Sequence, residues 1–226
     1  ATDNWDDTVD VDRFVGKGGI FIRGRATIVG PDTVDVNSER YRAEKGIVVA
    51  TGTLAAVPPI PGLADTPYWT NHHAIETKEL PASLIVLGGG AIGLEIGQTM
   101  ARFGVDVTIV EAEDRILPRN EPEASVALTD AFTAEGITVL TGQAATSVAH
   151  QASSEPTGES FTVTLADGTS VTGEKLLVAT GRRTFLDELG VAAAGLDPSV
   201  DFLDTDSHHR VIGAENLWAV GDITGD

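Results

Sequence analysis

Residues 84–104 read LIVLGGGAIGLEIGQTMARFG, and this stretch decides the fold. LIVL (84–87) is an uninterrupted apolar run, the pattern of a strand buried on both faces of a parallel sheet. GGGAIGLE (88–95) is a glycine-rich turn opening into a helix. Along that helix Ile92, Ile96, Met100 and Phe103 form an apolar stripe opposite Glu95, Gln98 and Arg102, and Gly104 closes it. Gly88-x-Gly90-x-x-Gly93 is weak evidence alone, because glycine-rich chains produce it by chance. Between a buried strand and an amphipathic helix it has the context that dinucleotide binding requires. The first glycine permits a tight turn, the second lets backbone approach a pyrophosphate, and the third lets helix and strand pack closely. The diphosphate then lies at the positive end of the helix.

Downstream, VDVTIVE (105–111) is the next strand and ends on Glu111, about 20 residues past the glycines. A carboxylate there accepts hydrogen bonds from adenosine ribose hydroxyls and repels a 2′-phosphate, which favours NAD over NADP. Arg115 follows closely enough to meet a phosphate and weighs against that preference. A helix is expected over 122–135 and a short strand at ITVL (137–140). FTVTLADGTSVTG (161–173) alternates in period two around Asp167-Gly168, a hairpin signal. KLLVATG (175–181) and NLWAVGD (216–222) read as further buried strands. Glu95 is read either as a solvated carboxylate near a helix N-terminus or as a group beside the nicotinamide. Asp222 either caps a turn or hydrogen-bonds a ribose or ribityl hydroxyl at the carboxyl end of a strand.

Upstream, GIFIR (19–23) and TVDV (33–36) read as β segments separated by a turn at Gly30-Pro31-Asp32. GIVVA (46–50) has the pattern of another strand buried on both faces. VPPIPG (57–62) is too poor in backbone donors to continue a sheet and marks a hinge. GIVVATGT (46–53) echoes KLLVATGR (175–182), each preceded by a β-rich segment. The echo implies two similar nucleotide-binding units, the first without its own glycine-rich turn.

The 226 residues carry 15 basic and 34 acidic side chains, a net charge of −19. That balance excludes an ordinary nucleic-acid binder, which needs a basic face against phosphate, and argues against docking on anionic lipid. No apolar run approaches the roughly 20 residues of a spanning helix, and ATDNWDDTVDVD at the start lacks the pattern of a signal peptide. A cytoplasmic setting without membrane attachment is expected. The acidic start reads as solvated charge. Cysteine is absent, so no disulfide or thiolate zinc site is expected. Nor is a histidine metal site expected from the adjacent pairs His72–His73 and His208–His209, since neighbours do not share a helix face.

GGGAIGLE, VTIVEAEDRILPR, LLVATGRR and NLWAVGDITGD, taken in order, resemble the middle of the FAD-dependent pyridine nucleotide–disulfide oxidoreductases. VVATGTLAAVPPIPG resembles the strand and hinge that precede the NAD domain there. ELPASLIVLGGG and GRR (181–183) look most like dihydrolipoamide dehydrogenase, with mercuric-reductase-like relatives close behind. The resemblance implies an α/β chain with three parts. A Rossmann-like NAD(P)-binding domain, a parallel sheet with a β-meander, spans 67–190. Residues 1–66 and 191–226 are then parts of an incomplete FAD-binding domain of the same class.

Residue by residue, the resemblance implies that Gly88, Gly90 and Gly93 cradle the NAD pyrophosphate. Ile92 and Glu95 flank the nicotinamide side, Glu111 holds the adenosine ribose, Gly181 packs against the nicotinamide half, and Ala91 and Ala112 also belong to the NAD site. Thr51, Gly52, Arg182 and Gly221 touch FAD, and Asp222 binds its ribityl chain. Ala91 departs from the family, where a tyrosine is frequent, as does Thr184, where a proline is common. The cysteine pair, the glycine turn for FAD and the C-terminal domain of the family are not in the sequence. The chain thus resembles a central piece of a longer enzyme, itself a homodimer through that C-terminal domain. The implied activity is hydride transfer between nicotinamide and FAD, with no catalytic residue in this piece. The alternatives are a flavin-dependent NADH oxidase or ferredoxin-reductase-like protein, and a non-catalytic nucleotide-binding redox sensor.

Overall fold

The computed structural model describes residues 3–152 and 158–225, so the outermost ends of the expected domain ranges lie outside it. Along the chain run α1 (Thr8–Gly16), β1 (Ala26–Gly30), β2 (Thr33–Val36), β3 (Glu39–Arg42), β4 (Ile47–Val49), β5 (Leu54–Ala55) and α2 (Asn71–Glu76). Next come β6 (Ser83–Leu87), α3 (Ala91–Arg102), β7 (Asp106–Val110), α4 (Pro122–Ala134), β8 (Thr138–Leu140), β9 (Ala145–Gln151), β10 (Ser160–Leu165) and β11 (Ser170–Gly173). β12 (Lys175–Val178), β13 (Arg182–Arg183), α5 (Leu186–Leu189) and β14 (Leu217–Ala219) complete the order. No helix among the described residues is long and apolar enough to cross a membrane.

One compact unit spans Ala55–Gly181. Its four-stranded sheet has the order β12-β6-β7-β8 with every pair parallel. Strand residues alternate sides, so the continuous apolar run of β6 supplies two cores. Leu84 and Val86 pack with Leu94, Met100, Val107, Ile109 and Phe132 on the helical side. Ile85 and Leu87 pack with Phe161, Val163, Leu165 and Leu176 on the other. That second face is covered by the antiparallel meander β9-β10-β11, whose hairpin turns at Asp167-Gly168.

The second unit comprises Trp5–Leu54 and Arg182–Asp226. It contains an antiparallel meander, β1-β2-β3, and a parallel pair, β4 with β14. Its core gathers Ile28, Val49, Leu186, Leu189, Val191, Leu217 and Ile223. The sequence echo is therefore structural: in each unit a three-stranded meander leads into a strand of a parallel ladder.

The compact units divide at 54/55 and 181/182, and three expectations about single elements need correction. Ala56 N–H donates to the Gly181 carbonyl at 2.9 Å and Leu63 is buried against Phe161 and Val163, which ties 55–66 to the first unit. Leu186 and Leu189 pack against Ile28, which ties 186–189 to the second. GIFIR (19–23) forms no strand. The first strand starts at Ala26, and Ile20 is 84% exposed with no ladder partner to order it. Val48 is 64% exposed, so β4 is buried on one face only.

The buried face of α3 is also different. Ile92 and Phe103 are exposed, 39% and 66%, while Gly93, Leu94, Gly97 and Met100 face the sheet. Two glycines on one face bring the helix axis close to β6 and β7, and a stripe of larger side chains would hold it away.

That packing separates two glycines sharply. A Cβ at Gly93 would lie 2.3 Å from the Gly88 carbonyl oxygen, whereas one at Gly97 would meet Ile109, Val107 and Val86 at 3.5–3.7 Å, ordinary contact. Gly93→Ala is expected to destabilise the chain by about 1–3 kcal/mol despite its better helix propensity. Gly97→Ala should be neutral or stabilising by up to about 1 kcal/mol. Urea midpoints of the two variants check this, and equal midpoints would contradict it.

Candidate functional site

The residues singled out in the first unit converge on one edge, the carboxyl ends of β6, β7 and β12. Gly88 leaves β6 with φ +110°, a conformation open to glycine, and its N–H donates to the Val110 carbonyl at the end of β7 at 2.9 Å. A Cβ there would lie 2.4 Å from the Ala179 carbonyl oxygen just past β12. The first glycine thus threads the turn between two neighbouring strands. Gly90 is the N-cap of α3, and nothing lies within 4 Å of where its Cβ would be. Backbone is open to approach at that position. The amides of Ala91, Ile92 and Gly93 form the first turn of α3, where N–H groups have no intrahelical acceptor and the helix dipole favours an anion. The three glycines therefore differ in what they do: Gly88 threads the turn, Gly90 leaves backbone open, and Gly93 lets the helix pack against the turn.

Glu111 follows β7 and is 9% exposed. Its Oε2 accepts from Gly89 N–H at 2.6 Å and its Oε1 from Glu113 N–H at 2.8 Å. Each carboxylate oxygen has two lone pairs, so both keep acceptor capacity for hydroxyls beside the turn. Ala112, next along the chain, is exposed and carries no charge. Glu95 is exposed on the second turn of α3. Gly181, past the end of β12 with φ +146°, accepts from Ala56 N–H, and Thr180 Oγ1 donates to the Ala56 carbonyl at 2.9 Å. Arg115 is turned to other work: its guanidinium donates to the carbonyls of Leu117, Pro118 and Asn120.

In the second unit, Thr51 and Gly52 (φ +65°) follow β4, and Gly221 (φ +76°) and Asp222 follow its parallel neighbour β14. Asp222 Oδ2 forms an ion pair with Arg182 Nη1 at 2.6 Å and accepts from Thr53 Oγ1 at 3.1 Å. The Arg182 hydrogen bond foremost, and Thr53 after it, hold the Asp222 carboxyl below the ordinary aspartate range, against a smaller opposing effect of burial. Asp222 also opens a short 3-10 turn, Asp222–Thr224. The Asp222 side chain is half-exposed, so its carboxylate is open to further donors.

The sequence reading did not single out Gly89 or Thr53. Gly89 lies inside the GGG run, and Thr53 is the last residue of the ATGT echo; both patterns were visible, but their partners were not. His73 has a structural task, its Nδ1 accepting from Thr70 N–H at 3.1 Å to cap α2.

The Arg182–Asp222 pair gives a titration with a definite sign. A depressed carboxyl contributes stability that is complete above its unfolded pKa and is lost as pH falls through the folded value. Both side chains are more than a third exposed, so the pair contributes no more than about 1 kcal/mol. Carboxyl carbon NMR of Asp222 should show titration below the ordinary aspartate range, moving upward in Arg182→Ala. No movement would show that the pair does not form in solution.

Comparison with known proteins bears on this arrangement. Residues 7–226 match the family described as Pyridine nucleotide-disulphide oxidoreductase. The chain is 38% identical over 207 residues to the mercuric reductase of Acidithiobacillus ferrooxidans, covering 90% of this chain and 36% of that protein. It is 37% identical over 210 residues to the dihydrolipoyl dehydrogenase of Chlorobaculum tepidum, covering 90% of this chain and 44% of that one. The structure resembles the Cu(II) complex of the HOCl-induced flavoprotein disulfide reductase RclA from Escherichia coli. The TM-score is 0.82 at 26% identity, over 99% of this chain and 50% of RclA. The chain thus spans half or less of each of these relatives. With two parallel ladders, each ending in a glycine turn and a carboxylate, and a match over nearly its whole length, the chain belongs to the pyridine nucleotide–disulfide oxidoreductase family.

Proposed function

We propose that the first unit binds NAD, with its diphosphate on the Gly88–Gly93 turn and its adenosine ribose on Glu111, and that Asp222 in the second unit holds the ribityl chain of FAD. The observation that carries the NAD reading is the Glu111 carboxylate, fixed by two backbone amides at the end of β7. A fixed negative charge there accepts from ribose hydroxyls and repels a 2′-phosphate. Arg115, the cation nearest in sequence, directs its donors to three carbonyls, and Glu113 and Asp114 add negative charge to the same loop. NADP therefore meets an unfavourable site.

When bound, a nicotinamide and a flavin exchange a hydride, the chemistry that the cofactors themselves supply. The chain's residues bind and orient. The open backbone at Gly90 admits the diphosphate, and the amides of Ala91, Ile92 and Gly93 hold it. Gly181 and Glu95 border the nicotinamide side. Thr53 and Arg182 hold the Asp222 carboxylate in place and ionised, so that it accepts from hydroxyls. In the whole protein we place this piece in a dihydrolipoamide-dehydrogenase-like oxidoreductase, on the strength of ELPASLIVLGGG and GRR (181–183). This chain has no cysteine, so exchange with a disulfide is not performed by its own side chains.

Calorimetric titration of the purified chain tests the reading. NADH should bind saturably and at least tenfold more tightly than NADPH, a difference of about 1.4 kcal/mol. Glu111→Gln keeps an acceptor for Gly89 but removes the charge, and should bring the two affinities together. Tighter NADPH binding, an unchanged preference in the variant, or binding of neither nucleotide would overturn the reading.

A further inference from the structure

Arg115 makes no ion pair among the described residues, in a chain with 34 acidic side chains. Three hydrogen bonds instead run from its guanidinium to carbonyls of its own loop. Nη1 reaches Leu117 at 2.9 Å, and Nη2 reaches Pro118 at 2.7 Å and Asn120 at 2.9 Å. The loop so gathered is strained, because Leu117 has φ +48°, in the left-handed region that leucine avoids. Leu117 N–H donates to the Gly89 carbonyl at 2.8 Å. On the other side of the same residue, Gly89 N–H donates to Glu111 Oε2. Ile116, fully buried, and Glu111 press against the α-carbon of Gly89: a Cβ there would stand 2.9 Å from Ile116 Cγ2 and 3.0 Å from Glu111 Oε2.

We propose that Arg115 is a positioning residue for the dinucleotide site, holding Leu117 in its strained conformation so that the Leu117 amide fixes Gly89 at the centre of the glycine turn. The inference rests on the NAD reading above and adds the residue that sets the turn's geometry. It assigns Arg115 a role opposite to phosphate reading: the guanidinium acts on every dinucleotide through the turn and does not distinguish them by a 2′-phosphate. Local strain held in place by surrounding structure is a frequent device beside a binding site. Here the restraint is a fork of donors that a lysine does not reproduce, since an ammonium is a point charge on a flexible stem.

The test is a double-mutant cycle on the purified chain, titrated with NADH and with NADPH. Arg115→Met keeps the stem and removes the donors, and should weaken both nucleotides by a similar factor of roughly tenfold. Arg115→Lys should not restore the loss. Glycine adopts positive φ without a Cβ penalty, so in a Leu117→Gly background the loss on Arg115→Met should shrink at least threefold. That coupling is the readout a phosphate-binding arginine would not give. If Arg115→Met does not fold, the Lys variant and the two chains bearing Leu117→Gly carry the comparison. Loss of NADPH affinity alone, unchanged affinity for both nucleotides, or an equal loss in both backgrounds would overturn the proposal. Failure of the unaltered chain to bind NADH would overturn the NAD reading with it; binding by the unaltered chain and Arg115→Met alike would overturn only the role of Arg115.

Discussion

The hydrogen bonds of the buried Glu111 carboxylate organise the first unit's functional edge. One oxygen holds the Gly89 amide of the glycine turn and the other holds the Glu113 amide of its own loop. A buried carboxylate without partners is costly; one that receives charge-assisted bonds from backbone amides is stable and fixed in place. The surrounding sequence is shaped by it. Gly89 lacks a side chain because one would meet Glu111 and Ile116, and Gly88 takes positive φ to deliver that turn between the ends of β7 and β12. Gly93 lets α3 start immediately behind the turn. Replacing Glu111 by an apolar residue would leave the Gly89 and Glu113 amides without their acceptor.

The two units repeat one rule with different materials. In each, a meander leads to a parallel ladder, and a glycine with positive φ and a carboxylate follow at the carboxyl ends of the strands, where open α/β sheets place their ligands. Glu111 is fixed by backbone amides and is nearly buried. Asp222 is half-exposed and is held by the side chains of Arg182 and Thr53. The first carboxylate is consequently set by the fold itself. The second depends on two side chains, and changes at either one alter it without disturbing the sheet.

Much of this was legible in the sequence, for identifiable reasons. Continuous apolar runs located β6, β7 and β12, and the spacing of Gly88, Gly90, Gly93 and Glu111 encodes a local geometry that a strand–turn–helix unit reproduces. Expectation and structure part where burial depends on what packs from elsewhere. Apolar periodicity put Ile92 and Phe103 on the inner face of α3, but the glycines at 93 and 97 control how closely that helix approaches the sheet. GIFIR has strand-forming residues and no ladder to join, and Val48 has the apolar character of a doubly buried strand without a cover on one side. Arg115 was legible as a nearby cation; that its donors close on three carbonyls of its own loop is a consequence of the path of residues 115–120, which no spacing rule reports.

We place the nucleotide across the carboxyl ends of β6, β7 and β12, and an amide NMR titration of the isotopically labelled chain with NADH measures that location directly. The largest shifts should fall on Gly88 to Gly93, on Glu111 and Ala112, and on Gly181. Largest shifts elsewhere, such as along the exposed side of α4, with the amides of 88–93 unmoved, would contradict this placement.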